Sequence, residues 1–350
     1  MLAARVAADR TSTTTERARA GPRQTDLPPL RERRARRPSR ERAASRPGHR
    51  DVRTGLAAFR AEARARGISP RTLERAFAGV RPLAAVIEAD RRQPERQLSF
   101  AEYREKVVSP ARIRRGRELL AEHRSLLERV RVRYGVPAPV LVALWGVESS
   151  YGAYRGSYRV IDALATLAWE GRRAELFRRE LLAALEIVER GERDPDRLLG
   201  SWAGAMGQCQ FMPSSYLRYA VDFDGDGRRD IWTSLPDVFA SMSRYLVEAG
   251  WVGGERWGRP VRVPPGLDPA LGGLERRAEL AVWSRHGIRA VDGGPLPSAP
   301  IEAALLRMDG ERGPAFLVYR NFHAFLAWNR STYFALSVGL LADELVSAAA

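Results

Sequence analysis

"PAPVLVALWGVESSYG", residues 137–152, places one carboxylate, Glu148, at the end of an otherwise apolar run. Pro137 and Pro139 suit the opening of a helix, and the spacing predicts one over 138–150. On that helix Leu144 lies at i−4, Trp145 at i−3 and Tyr151 at i+3, so Glu148 is expected among large apolar groups. Burial without a partner disfavours a charged carboxylate and raises its pKa. A carboxylic acid still protonated near neutral pH is what a general acid at a glycosidic oxygen requires. The structural alternative is a half-exposed glutamate paired at a helix end.

Outward from this run the pattern stays helical. "LAAFRAEARARG" (56–67) ends in Gly67, and "ISPRTLERAFAGV" (68–80) opens with Ser69 and Pro70 as N-cap and first helical residue. "SPARIRRGRELLAEHRSLLERVRVRYG" reads as one helix from Ser109 and Pro110 to Gly135. Helices are also expected in "RVIDALATLAWE", "RRAELFRRELLAALEIVERG" and "LPDVFASMSRYLVEAGW". From 252 to about 300 Gly and Pro are dense. Here "RPVRVP", and further on "IEAALLRMD" and "AFLVYRN", suggest strands of a small sheet before helix returns at "TYFALSVGLLADELV". The expected class is mainly α (α+β). The expected organisation is an Arg-rich disordered tail over 1–50 and one domain over 51–350. Within the domain a helical lead-in covers about 51–135, a core 136–251, a small β insertion 252–320, and a C-terminal helix 321–350 that returns to the core.

The composition, 350 residues with 45% hydrophobic and 29% charged, suits a folded domain with a sizeable core. No apolar run approaches the ~18 residues of a membrane helix. The formal charge of +16 is uneven, because residues 1–50 hold 14 arginines against 5 acidic residues, a net of +9. That segment has no aromatic residue to stack on bases, so a specific nucleic-acid partner is not expected. The single cysteine, Cys209, excludes an intrachain disulfide. "MLAARVAADR" has too short an apolar stretch to read as a secretion signal.

Two more stretches carry chemistry. "GSWAGAMGQCQFMPSSY" (200–216) mixes Trp202, Met206, Phe211 and Met212 with Ser201, Gln208, Gln210 and Ser214. Aromatic faces with neutral hydrogen-bonding groups suit a sugar groove; a glycine-packed turn with ordinary core aromatics reads equally well. "DFDGDGRRDIW" (222–232) puts Asp222, Asp224 and Asp226 at loop positions one, three and five, Gly227 at six, the Arg228 carbonyl at seven and Asp230 at nine. This fits the first half of an EF-hand calcium loop, but position twelve is Thr233 rather than a bidentate Glu, so weak affinity is expected. An Asp-Gly turn without metal is the alternative.

Together with "IDALATLAW", "RRAELFRREL" and "WNRSTYFALSVGLLAD", these stretches resemble the lytic murein transglycosylase B family of bacterial cell-wall enzymes over about residues 55–347. The resemblance implies a lysozyme-like catalytic core and cleavage between N-acetylmuramic acid and N-acetylglucosamine, ending in a 1,6-anhydro ring. It makes Glu148 the catalytic glutamate, followed by Ser149. It places Ser201, Gln210, Tyr245, Asn329 and Tyr103 along the sugar site, and Arg172 and Arg173 toward the peptide stem. It makes Asp222, Asp224, Asp226, Arg228 and Asp230 a structural calcium loop, with no cofactor for catalysis. The implied partners are glycan strands and peptide stems of peptidoglycan, and the implied location is the periplasm or cell envelope. A monomer is expected.

Most glycosidases use two carboxylates. Asp162, as N-cap before "ALATLAW", is the nearest second candidate and has a structural role available. A one-carboxylate scheme fits better, with Glu148 acting as acid and then as base. The rival readings are a hydrolase like goose-type lysozyme, which would admit water, and a non-catalytic peptidoglycan-binding protein.

Overall fold

The computed structural model describes residues 52–91, 98–170 and 173–347; the Arg-rich tail and Arg172 lie outside the described residues. The chain begins with α1 (Val52–Ala65), α2 (Pro70–Ala76), α3 (Ala84–Arg91), α4 (Phe100–Val107), α5 (Pro110–Glu122) and α6 (Arg124–Tyr134). Next come α7 (Ala138–Ser149), β1 (Tyr158–Arg159), α8 (Val160–Glu170), α9 (Ala174–Glu189), β2 (Leu199–Gly200), α10 (Pro213–Tyr219) and α11 (Leu235–Glu248). A sheet region follows: β3 (Gly258–Arg262), β4 (Arg277–Glu279), α12 (Leu280–Arg285), β5 (Arg289–Ala290), β6 (Glu302–Arg307) and β7 (Ala315–Val318). The chain closes with α13 (Phe322–Trp328) and α14 (Thr332–Val346).

Helix α7 is apolar on every side because it is surrounded. It packs against α5, α6, α11 and α14, and Leu141, Val142, Ala143 and Leu144 have no exposed surface. Its neighbours start as their sequences dictate. Ser69 and Ser109 each precede a proline, and their hydroxyls accept the N–H of Thr72 and Arg112.

The stretch 109–135 is two helices rather than one. The chain turns at His123 (φ −102°, ψ 19°), whose ring lies against Trp145 and Phe239. A straight helix of that length would run roughly 37 Å, far past the 12-residue α7. The turn lets α5 and α6 each lay an apolar edge, Leu119 on one and Leu127 with Val130 on the other, into the same core. Asp162 also differs from expectation. Helix α8 begins two residues earlier, at Val160, so Asp162 sits inside its first turn, paired with Arg159 at 3.2 Å.

The sheet is antiparallel throughout, in the order β4-β6-β7-β3-β5. Its two faces separate by the period of two. Ala304, Leu306, Phe316 and Val318 join the main helical core, whereas Ala303, Leu305, Ala315 and Leu317 form a second core with Leu280 and Trp283 of α12. Strands covered on both faces read as continuous apolar runs, which is why "AALL" and "AFLV" stood out in the sequence.

Candidate active site

Glu148 is the penultimate residue of α7 and is only 9% exposed. Its Oε1 accepts a hydrogen bond from the indole Nε1 of Trp328, at 2.5 Å and 180 residues away in sequence. The C-terminal end of a helix and its burial both favour the neutral acid, while the indole N–H supports the anion.

The turn after Glu148 is unusual. Ser150, Tyr151 and Gly152 have φ of 49°, 61° and 79°, all left-handed, and the first two are not glycine. Three contacts hold it. Ser149 Oγ donates to the Trp145 carbonyl and accepts the Gly152 N–H. The Tyr151 hydroxyl donates to the Arg112 carbonyl of α5 at 2.7 Å, and its half-buried phenol is pushed up to about 12, first by desolvation. Its ring occupies the space beside Gly146, where a Cβ would come within 2.6 Å of it. At Gly152 the left-handed backbone and the Gln208 side chain against it leave no room for a Cβ. Gln208 in turn accepts from Trp145 Nε1 at 2.9 Å and donates to the Trp232 carbonyl at 3.0 Å.

The second wall is the stretch after β2. Gly200 pairs with Tyr158 of β1, and a tight turn links Met206 to Phe211 by reciprocal backbone hydrogen bonds. Gln210 sits in that turn with φ 51°, buried, its Nε2 donating to the Gly207 carbonyl at 2.9 Å. The hydroxyl oxygen of half-exposed Ser201 accepts the N–H groups of Ala203 and Ala205. Phe211 and Tyr245 of α11 flank the Trp328 ring, at centroid distances of 5.2 and 4.6 Å. The Tyr245 hydroxyl donates to the Ala327 carbonyl at 2.7 Å, tying α11 to the end of α13. Asn329 ends α13, and its Oδ1 accepts the Ser331 N–H at the start of α14.

Glu148 therefore meets Phe211 and Tyr245 through the Trp328 ring, and Gln210 and Asn329 are the chain neighbours of Phe211 and Trp328. Tyr103 lies in an aromatic group with Tyr333, 1% exposed. Arg173 is in different surroundings: it forms an ion pair with buried Asp90 of α3 and stacks over Phe177 at 5.1 Å. Sequence reasoning missed Trp328. It stands next to Asn329, but nothing local ties residue 328 to residue 148.

The acidic loop follows α10. Carboxylate oxygens of Asp222, Asp224 and Asp237 lie within 4.8 Å of one another, a donor set suited to a hard divalent cation. Asp230 is not in this set. Its Oδ1 accepts the N–H groups of Trp232 and Thr233, and its Oδ2 takes the Thr233 hydroxyl. Asp226 likewise closes a small turn, accepting the N–H of Arg228 at 2.8 Å. The expected ligands therefore divide: Asp222 and Asp224 meet Asp237, from the first turn of α11, while Asp226 and Asp230 close turns of their own. Asp237 has no exposed surface. Desolvation chiefly, with Asp224 and Asp222 adding repulsion, pushes its carboxyl up to about 6, although it accepts the N–H groups of Phe223 and Asp230.

The family described as the transglycosylase SLT domain matches residues 51–343. The chain is 34% identical over 257 residues to the membrane-bound lytic murein transglycosylase B of Escherichia coli (strain K12), covering 71% of this chain and 68% of that one. Its structure is similar to SltB3 from Pseudomonas aeruginosa in complex with NAG-NAM-pentapeptide, with 48% identity, a TM-score of 0.82, and 85% and 80% of the two chains covered. It is also similar to the Escherichia coli lytic transglycosylase Slt35 in complex with calcium, with 30% identity, a TM-score of 0.71, and 84% and 92% covered.

Proposed function

The chain belongs to the transglycosylase SLT domain family and is a lytic murein transglycosylase with a lysozyme-like fold; from that premise we propose that Glu148 alone carries the protons of the cleavage. The observation that supports this reading is the setting of Glu148: buried, at a helix C-terminus, and hydrogen-bonded to a neutral indole. Asp162, the second acid weighed from sequence, is engaged with Arg159.

Glu148 protonates the glycosidic oxygen between N-acetylmuramic acid and N-acetylglucosamine, and the bond to the muramyl C1 breaks. The acetamido oxygen of the substrate supports the cation developing at C1. Glu148, now ionised, takes the proton of the muramyl C6 hydroxyl. That oxygen closes on C1 to give the 1,6-anhydro ring, and the acid is restored without water. Ser201, Gln210, Tyr245, Asn329 and Tyr103 shape the sugar site around it. Within this reading Ser149 acts through the turn that follows Glu148, since its hydroxyl is bonded there.

Calcium fits Asp222, Asp224 and Asp237, where it would offset carboxylate repulsion and fasten the loop to α11. We assign Arg173 to the peptide stem, and the enzyme, as a monomer, to the periplasm or cell envelope. Among the described residues no helix is long and apolar enough to cross a membrane. Mass spectrometry of digests of purified sacculi tests the reaction: anhydro-ended fragments, one water lighter than hydrolysed ends, are expected. Reducing ends in their place would make the enzyme a hydrolase.

A further inference from the structure

We propose that Trp328 is a positioning residue for the reaction: its indole N–H holds one oxygen of the Glu148 carboxylate and stabilises the ionised form that the ring-closing step needs. The proposal rests on the reading of Glu148 as acid and then base.

The geometry is specific. Trp328 is 1% exposed and donates from Nε1 to Oε1 at 2.5 Å, and such a bond is stronger to an ionised acceptor than to a neutral one. An indole donates and never accepts, so it can favour the carboxylate but cannot take a proton from the acid. The ring is fixed rather than adaptable. Phe211 and Tyr245 pack against it, and the Tyr245 hydroxyl holds the carbonyl of the preceding residue. A carboxylate that must be neutral in the first step and charged in the second needs opposing influences. Burial and the helix end disfavour the charge, and Trp328 counters them in the direction the second step requires.

The charged and titratable groups on the elements around α7 have contacts of their own. Arg112 and Arg117 of α5 donate to backbone carbonyls, and Tyr151 bonds the Arg112 carbonyl. Glu128 pairs with Arg131 on α6, Glu248 with Arg244 on α11, and Asp343 of α14 with Arg256. His123 faces Trp145, His323 of α13 meets Arg277, and Tyr333 of α14 lies against Tyr103. Asp237 of α11 belongs to the acidic loop. Arg330 follows Asn329 in the connection to α14. Comparing wild type with Trp328→Phe cancels what these groups contribute in common.

The first test is the pH dependence of kcat/KM for wild type and Trp328→Phe, which keeps the ring and removes the donor. Glu148 must be protonated to start the reaction, so activity falls as pH rises through its pKa. Loss of the donor destabilises the anion and should move that alkaline limb up by about one pH unit, a tenfold change in proton affinity. A folded variant whose limb is unmoved, or whose rate drops equally at every pH, overturns the proposal. The second test needs no Trp328 variant. In the wild-type protein labelled at the tryptophan indole nitrogens, one indole N–H resonance should titrate with pH, and its titration should vanish in Glu148→Gln. No titrating indole resonance also overturns the proposal. Activity of Glu148→Gln separates the two ideas. A Gln variant that still cleaves sinks the reading of Glu148 itself, whereas an inactive one beside an unshifted Trp328→Phe sinks only this inference.

Discussion

The Glu148 pocket and the acidic loop use carboxylates in opposite ways. Glu148 is one buried acid at the end of an apolar helix, with a neutral indole donor on it. Asp222, Asp224 and Asp237 are three acids brought together, two exposed and one buried. A single buried acid held by a neutral donor keeps that donor whether or not it carries its proton. Clustered acids repel one another, and the cluster is satisfied by a cation or by protons. The first arrangement suits proton transfer and the second suits holding an ion. The carboxyl group is the same in both; the surroundings set the role.

The strongest way to break this contrast is Glu148→Gln. The amide keeps the shape and a hydrogen-bond acceptor but cannot exchange a proton. Cleavage of sacculi should fall by at least about 10²–10⁴-fold, the usual worth of general acid–base catalysis, with melting and sacculus binding retained. Activity within tenfold of wild type would place the acid elsewhere. In the loop, calcium should raise the melting temperature, because an ion that binds only the folded state stabilises it by about 2.7 kcal/mol at a hundredfold excess over Kd. Asp237→Asn and Asp224→Ala should both abolish that gain, while Asp230→Asn should lower stability yet keep most of the calcium response. A response lost in Asp230→Asn and kept in Asp237→Asn would restore the ligand set expected from sequence.

That pair of variants separates what was legible in the sequence from what was not. Local signals were read well. Ser69–Pro70 and Ser109–Pro110 do begin helices, Gly135 does close one with φ +72°, and the three apolar runs of the late region are β3, β6 and β7. Long-range contacts left no local trace. Asp237 reads as an ordinary acidic residue in the first turn of a helix, which the dipole alone would justify. Its role comes from the loop folding back so that Phe223 and Asp230 donate to it across 14 and 7 residues. Trp328 reads as a core aromatic for the same reason. Asp230 lies apart from that group, because Thr233, where an EF-hand carries Glu, supplies a hydroxyl that closes a turn on it.

A smaller effect sharpens the contrast through pH. Asp237 is pushed up from 3.8 to about 6 in the folded, metal-free protein. The folded state therefore holds this proton more tightly than the unfolded chain does. Its contribution to metal-free stability is fully present below about 3.8 and is lost as pH rises through about 6. Calcium needs the ionised carboxylate, so it acts in the opposite sense. The calcium-induced rise in melting temperature should be large at pH 7.5 and should shrink as pH falls through about 6. A calcium response of equal size at pH 5 and pH 7.5 would remove Asp237 from the ion's ligands.

The smallest expected effect concerns a third way of handling a buried acid, by pairing it with arginine. Asp90 is buried and ion-paired with Arg173, the residue assigned to the peptide stem. If Arg173 also binds a stem carboxylate, the substrate must share a guanidinium that already has an anion. Guanidinium has enough donors for both, but sharing weakens each contact. Arg173→Ala should therefore raise KM for peptide-bearing glycan by only about 3- to 10-fold, roughly 1 kcal/mol, below the usual worth of an unshared charge-assisted bond. KM for peptide-free glycan should stay unchanged. Asp90→Asn removes the competing anion and should leave KM for peptide-bearing glycan equal to or below that of wild type. Only Arg173→Ala should thus raise KM for this substrate if Arg173 reads the stem. Both should lower the melting temperature, since each breaks the same buried pair. If both also impair the two substrates equally, Arg173 does no more than join α3 to the start of α9, and stem recognition belongs to other residues.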